Sequence, residues 1–530
     1  MTATSPPPVP TPADPDNPDK LDKNVLLVAG VVVLGAIMSI LDITVVSVAQ
    51  PTFQSDFDAT PAQAAWTMTG YTLALASVIP LTGWAADRFG TKRLYMIAVL
   101  LFTLASLLCA AAWDVTSLVA FRVIQGLGGG MLMPLGMTIM TRAAGPQRIG
   151  RVMAVLGIPM LLGPIFGPIL GGWLIDIASW HWVFLINLPI GIVGLVYAWK
   201  VLPKDNPSPS ESFDFVGMLL LSPGLAAFLY GVSTIPETGT VADAEVIVPA
   251  ILGVLLVVAF VVRSLKGRIE HPLIDLKLFR NPTLTVAVIS MVMFAIAFFG
   301  AGLLFPSYFL QIRGESTLNA GLLLAPQGIG AMVTMPIAGA LVDRIGPGRI
   351  VLAGISVIAV GMGMFSTLDA TTSYPFLLGA LFVMGLGMGG TMMPIMTAAL
   401  RTLKDHDIAR GSTLMNITQQ VAASIGTALF TVVLTNGFQD RELAGPAVAS
   451  QLNPEIAAQL GPEAVALGLS QAAEAFGGAF LLATILVALV LIPAFFLPRK
   501  RTEETDAAGA PRRWCTESGT PARRRAATVR

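Results

Sequence analysis

The chain is dominated by a repeating alternation of apolar stretches and short polar segments. Fourteen apolar stretches, over 24–49, 62–86, 94–112, 115–140, 152–175, 182–202, 214–233, 246–265, 283–311, 319–342, 350–369, 374–400, 412–436 and 475–497, are separated by polar segments. Each is about the 20 residues a helix needs to cross hydrocarbon, and continuous apolar runs of that length argue for helices. The basic residues test the count. If the N-terminus is cytoplasmic, 29 of the 32 Lys and Arg fall in inside segments; Arg313 and Arg441 fall outside, and Arg122 lies within a span. An odd number of spans would scramble this alternation, so the cytoplasmic bias of Lys and Arg predicts fourteen spans with both termini inside. Composition agrees: 54% of residues are hydrophobic and only 12% charged, against about 25% charged in soluble domains. The fold class expected is an all-α polytopic membrane protein.

Outside the spans little is specified. Residues 1–23 are rich in Pro and Asp and have no basic region followed by an apolar one, which predicts a disordered cytoplasmic tail rather than a signal peptide. Residues 498–530 form a basic tail, and 437–474 an external loop with Gly-Pro and Asn-Pro turns. Cys109 and Cys515 provide no disulfide framework.

Two segments repeat. Gly83, Asp87, Arg88, Gly90 and Arg93 recur at the same spacing as Gly339, Asp343, Arg344, Gly346 and Arg349, and Gly126–Pro134 is echoed by Gly385–Pro394. Two six-span halves in parallel, 24–202 and 283–497, with two linker helices in 203–282, account for both repeats. Parallel six-span repeats are a transporter plan with the substrate site between the halves near the midplane.

Within this scheme Asp42 is the acidic residue that lies well inside a span. A charge at membrane depth costs roughly 2.5–3.5 kcal/mol on insertion scales and marks a functional site by default. Asp42 and Arg122 each lie seven residues from the external end of their spans, at a common depth of about 10 Å. Burial opposes the charged form of a carboxylate and a neighbouring guanidinium favours it, so such a pair can be poised to take and release a proton. The competing reading is a static ion pair, although buried pairs are poor sources of stability. Phe298 and Leu381 occupy the matching positions of the second half.

Four segments carry a family resemblance. Leu41-Asp42-Ile43-Thr44-Val45-Val46, the loop Gly83–Arg93, Arg122-Val123-Ile124-Gln125-Gly126 and the Gly/Pro-rich run Gly157–Gly172 together resemble the fourteen-span drug:proton antiporters of the major facilitator superfamily, the EmrB/QacA-like branch. The resemblance implies the major facilitator fold in a bacterial cytoplasmic membrane, arranged 6+2+6. It also implies proton coupling at Asp42 and Arg122, and a gating lock at Gly83, Asp87, Arg88, Gly90, Lys92, Arg93, Asp343 and Arg344. The second copy has Pro347-Gly348 where the first has Thr91-Lys92, which suggests a weaker lock. The fifth span, with Gly157, Gly163, Pro164, Gly167, Pro168, Gly171 and Gly172, is implied to be the pivot of an exporter. Physically, glycines every four residues let a neighbouring helix approach closely, and prolines remove backbone donors.

Candidate cavity residues are Trp66, Tyr71 and Gln125 in the first half and Phe298, Phe305, Tyr308, Gln327, Asn416, Gln419 and Gln420 in the second. Aromatic rings with a few amides suit flat, amphipathic, cationic compounds, and amides within spans normally face protein. The function expected is proton-coupled export of amphipathic drugs or dyes by alternating access; the alternative is export of an endogenous lipid, siderophore or secondary metabolite. The expected partners are small-molecule substrate, protons and the bilayer, with no nucleic acid, no metal and no cofactor; the oligomeric state stays open. An enzyme would want His, Asp or Cys clusters near the membrane surface, and ATP drive would want a phosphate-binding Gly-rich loop; neither is present.

Overall fold

In hydrocarbon, runs this apolar must satisfy their own backbone, and they do so as helices. A computed structural model describes residues 22–144, 148–205, 213–238, 242–266, 273–403, 407–451 and 454–499, and among these no strand occurs. Thirteen helical stretches of the described residues are long and apolar enough to cross a membrane, from Lys23–Val48 to Pro462–Ala494. The expected span over 152–175 falls in a further 29-residue helix, Ile149–Ile177, several of whose side chains, Pro164 and Pro168 included, lie outside the described residues.

The long helices of the first half are α1 (Lys23–Val48), α2 (Pro61–Phe89), α3 (Thr91–Ala110), α4 (Val115–Ala144), α5 (Ile149–Ile177) and α6 (Asn187–Val201). Then come α7 (Phe215–Thr238) and α8 (Ala244–Lys266), followed by α9 (Pro282–Gly302), α10 (Ala325–Ile345), α11 (Pro347–Phe365), α12 (Tyr374–Gly389), α13 (Ile408–Gln439) and α14 (Pro462–Leu489). The helix starts are written locally. Thr60 and Gln63 form a reciprocal capping box ahead of α2, and Asn281 accepts from the backbone of Thr283 and Leu284 ahead of Pro282 in α9.

One packing plan occurs twice. In the first half α2 and α3 pack on α4, α1 packs on α5 and α6, and α3 packs on α6; in the second α10 and α11 pack on α12, α9 packs on α13 and α14, and α11 packs on α14. The halves meet where α5 packs on α10 and where α13 packs on α2 and α4. Helices α7 and α8 pack on each other, and α7 covers the α2–α13 seam.

The repeated loop motif has a backbone reason. Gly90 (φ 94°) and Gly346 (φ 86°) each accept the left-handed turn that reverses the chain between two helices, a conformation costly for residues bearing a Cβ. The expected external segment 437–474 is largely helical. α13 runs on to Gln439, α14 begins at Pro462, and short helices Ala444–Ser450 and Pro454–Leu460 fill the gap. Its Ala-, Leu- and Gln-rich stretches are strong helix formers.

Candidate functional site

Five elements of the first half converge on Asp42, which is 1% exposed, and on Arg122, equally buried. The Arg122 guanidinium pairs with Asp42 Oδ2 through Nη1, and its Nε donates to Thr67 O at 3.0 Å. Gln125, one turn further along α4, donates through Nε2 to Asp42 Oδ1 and to Ser106 Oγ, both at 2.8 Å, while its Oε1 accepts from Arg122 Nη1 at 2.6 Å. Asn187, at the start of α6, donates to Asp42 Oδ1 at 3.1 Å. Tyr71 lays its ring 4.2 Å from the guanidinium carbon and meets Ser39 Oγ through its hydroxyl at 3.2 Å. The carboxylate is thus stripped of water and held by one cation and two amides. Protonating it would remove the charge and turn an acceptor into a donor, so the present arrangement could not persist unchanged.

The two ends of this cluster differ. Away from the basic end, Phe184 lies 5.8 Å from the Arg122 guanidinium carbon and stacks on Phe53, and Trp180 meets both rings edge-on, with Phe53 and Trp180 centroids 5.5 Å apart. Toward the basic end the halves are bonded across. Asp343 at the foot of α10 accepts from the backbone N–H of Gly150 (3.1 Å) and Arg151 (3.4 Å) at the start of α5. Thr138 and Ser412 hydroxyls meet at 3.0 Å. Gly83 admits α13: an added Cβ would lie 3.2 Å from Thr413 Oγ1.

The two loop motifs make different contacts. Asp343 is 7% exposed and reaches across the halves, whereas Asp87 meets Arg142 of its own half at 3.5 Å, among other interactions that it and Arg88 and Arg344 make. Lys92 and Arg93 serve the loop itself: their backbone N–H groups bind Asp205 (2.8 and 2.9 Å), and Lys92 Nζ reaches the carbonyls of Trp199 and Leu202.

Helix α5 connects the two regions. An added Cβ at Gly163, Gly167 or Gly171 would strike Ile40, Thr44 or Val45, the turns of α1 that flank Asp42, while one at Gly157 would strike Met335 of α10. Gly172 has open space around it.

The candidate cavity residues are scattered. Gln125 belongs to the Asp42 cluster, because its amide is consumed by Asp42, Arg122 and Ser106. Tyr71 faces Arg122. Trp66 is 41% exposed and stacks on Tyr230 of α7. Phe305 packs between Phe365 and Phe480, and Tyr308 against Phe476 with its hydroxyl on Asp369 O, all inside the second half. Phe298 is buried on Phe294. Asn416 touches Met137 of the first half. Gln327 is half-buried, Gln419 Oε1 is buried with no partner, and Gln420 faces a recess beside Ala76 and Leu225. Asn187, Ser106 and Thr67 were missed. Asn187 was findable as an amide within an apolar span; Ser106 and Thr67 resemble any hydroxyl that bonds its own helix.

The family model for the Major Facilitator Superfamily matches residues 32–427. A Mycobacterium tuberculosis (strain ATCC 25618 / H37Rv) protein described as "Multidrug resistance protein B homolog" is 52% identical over 497 residues, 91% of this chain and 92% of that one. The "Multidrug export protein EmrB" of Haemophilus influenzae is 31% identical over 406 residues, covering 76% and 79%. Among solved structures, the human organic anion transporter MFSD10 (TETRAN) superposes with a TM-score of 0.59 at 16% identity, covering 88% of this chain and all of that one. The proton:xylose symporter XylE gives 0.53 at 16% identity, covering 88% and 96%. The chain belongs to the major facilitator superfamily and has its all-helical fold. Within that superfamily it falls in the family of multidrug efflux transporters, as a multi-pass protein of the bacterial cytoplasmic membrane.

Proposed function

We propose that this chain exports amphipathic, cationic drugs or dyes in exchange for protons, with fourteen spans in a 6+2+6 order and both termini cytoplasmic. The observation that carries the reading is the buried Asp42 carboxylate, held by Arg122, Gln125 and Asn187 with no counterpart in the other half. A proton arriving from outside, past the Phe53–Trp180–Phe184 plug, neutralises Asp42. Arg122 then falls back on Thr67 O and Gln125 Oε1, which already accept from it. The turn of α1 bearing Ile40 and Thr44 shifts against the glycine face of α5, and α5 carries the displacement to Gly150 and Arg151, loosening the Asp343 lock. Opening inward admits substrate between the halves, where the unpaired Gln419 Oε1 and the half-buried Gln327 and Asn416 are candidate polar contacts. Release of the proton inside restores the ion pair and reseals that face. The similarity to relatives described as multidrug exporters supports the substrate class.

The test uses energised inside-out vesicles with a pH-sensitive dye and ethidium. Ethidium-evoked proton release from the wild type, lost in Asp42→Asn at equal expression, is the expected result. Equal release from both would return the pair to a static role.

A further inference from the structure

Helices α7 and α8 do more than join the halves. A cavity of about 400 Å³ opens between them and helices α9 and α13, lined by Leu225, Phe228, Val257, Phe260, Val421 and Phe279 among other apolar side chains. Of its lining residues only Thr418 carries a side-chain hydroxyl, and that donates to Leu414 O at 2.6 Å. Nothing in the groove can recognise a polar molecule, and its size lies within the range of small-molecule sites.

Depth identifies the occupant. The lining residues Phe260 and Val254 lie six and twelve residues before Lys266, the basic end of α8, which is roughly 9 and 18 Å at 1.5 Å per residue. Phe228 lies thirteen residues into α7, about 20 Å. The groove therefore runs from the basic face to near the midplane of a core about 30 Å thick, the depth of one leaflet. Its inner wall of Leu225, Ile417 and Val421 backs onto a recess beside Ala76 and Ile79 that is too narrow for water, so the groove is blind toward α2.

Charge identifies the head group. The mouth is formed by the short helix Leu276–Arg280, where exposed Lys277 and Arg280 flank the lining residue Phe279, and exposed Lys266 ends α8. Of the neighbouring carboxylates among the described residues, Asp275 accepts from the backbone N–H of Lys277 (2.9 Å), and Asp214 is held by Arg263 (2.8 Å). The exposed rim of these residues is thus positive, and basic residues at the cytoplasmic surface attract anionic lipids by about 1 kcal/mol each. We propose that an anionic phospholipid of the cytoplasmic leaflet resides here, one acyl chain in the groove and its phosphate over Lys277 and Arg280, bonding the linker pair to the second half.

The experiment counts lipid on purified, delipidated full-length protein by native mass spectrometry after adding phosphatidylglycerol or phosphatidylcholine. Because it needs no transport, its outcome is independent of the proposed antiport. One phosphatidylglycerol retained per chain, preferred about tenfold over phosphatidylcholine, is expected. Val257→Trp with Val421→Trp fills the groove and abolishes retention. Lys277→Gln with Arg280→Gln, both exposed changes, keeps one lipid and loses the preference. No retained lipid, equal retention of both lipids, or unchanged retention in the filled variant would overturn the proposal. So would stoichiometric displacement by ethidium, which would make the groove a vestibule for substrate.

Discussion

The two halves share a packing plan and differ in what they bury. The first half places Asp42, Arg122, Gln125 and Asn187 in its centre. At the positions matching Asp42 and Arg122 the second half has Phe298 and Leu381, both buried, with Phe294 stacked on Phe298 at 5.1 Å. The same packing plan therefore accommodates apolar side chains at the two positions where the first half has its ion pair. Desolvating two charges is expensive, and apolar replacements of a buried pair are often neutral or stabilising. The second half is the natural comparison: the same packing plan occurs without a charged pair at these positions, which is what the proposed coupling role would require.

Breaking the pair from one side should have the largest effect. Arg122→Leu leaves Asp42 buried beside amides only and should cost about 3–5 kcal/mol, whereas Leu381→Met should cost less than about 1.5 kcal/mol. Thermal unfolding of both variants in one detergent measures the contrast, and equal losses would remove the distinction between the halves.

The contacts of the two loop motifs sharpen the comparison in the other direction. Asp343→Ala removes the acceptor of two backbone N–H groups, each bond to a charged group being worth about 1.5–3 kcal/mol. Met393 is buried against Gly157 of α5, and the change should raise labelling of Met393→Cys by an impermeant maleimide about tenfold or more, in a chain also carrying Cys515→Ser. Asp87→Ala should raise it less, and the reverse order would make the first-half motif the principal lock.

The glycine face of α5 predicts a smaller, more local difference. Gly167→Ala drives a methyl into Thr44 and should destabilise by about 1–3 kcal/mol, with reduced transport. Gly172→Ala meets open space and should stay within about 0.5 kcal/mol; calorimetry separates the two.

The smallest effect belongs to the loop after α9. Glu315 accepts from the Tyr374 hydroxyl and from Asn319 Nδ2, in that order of influence, which holds its carboxyl below the ordinary Glu value. A lowered value means that the contribution is present above the ordinary Glu range and is lost as pH falls through the folded value. Tyr374→Phe should abolish this acid-side dependence, an effect below about 1 kcal/mol for so exposed a pair, read from melting temperatures between pH 7 and 4.

Much of the site was legible because depth in a membrane is a one-dimensional quantity. Residue counts from the span ends place Asp42 and Arg122 at one level, and the cost of stranding either charge in hydrocarbon makes their pairing the only comfortable outcome. Gln125 was recognised as polar and inward but assigned to the cavity, and Phe305 and Tyr308 likewise. Helical periodicity states which face a residue shares, not which helix lies against it. Asn187 completes the carboxylate's shell from a helix more than 140 positions away.

The sequence alone determined the membrane class, the repeated motifs that suggest two halves, and the placing of Asp42 and Arg122 in the first of them. These follow from hydropathy, basic-residue bias and motif spacing, which are properties of the chain in order. Tertiary structure alone decided that Gln125 and Asn187 bond Asp42, that Asp343 is bonded across the halves through α5's backbone, and that the linker pair encloses a leaflet-deep groove. Those outcomes depend on which helices become neighbours, and the packing of small residues such as Gly83, Gly157 and Gly167 settles that in three dimensions.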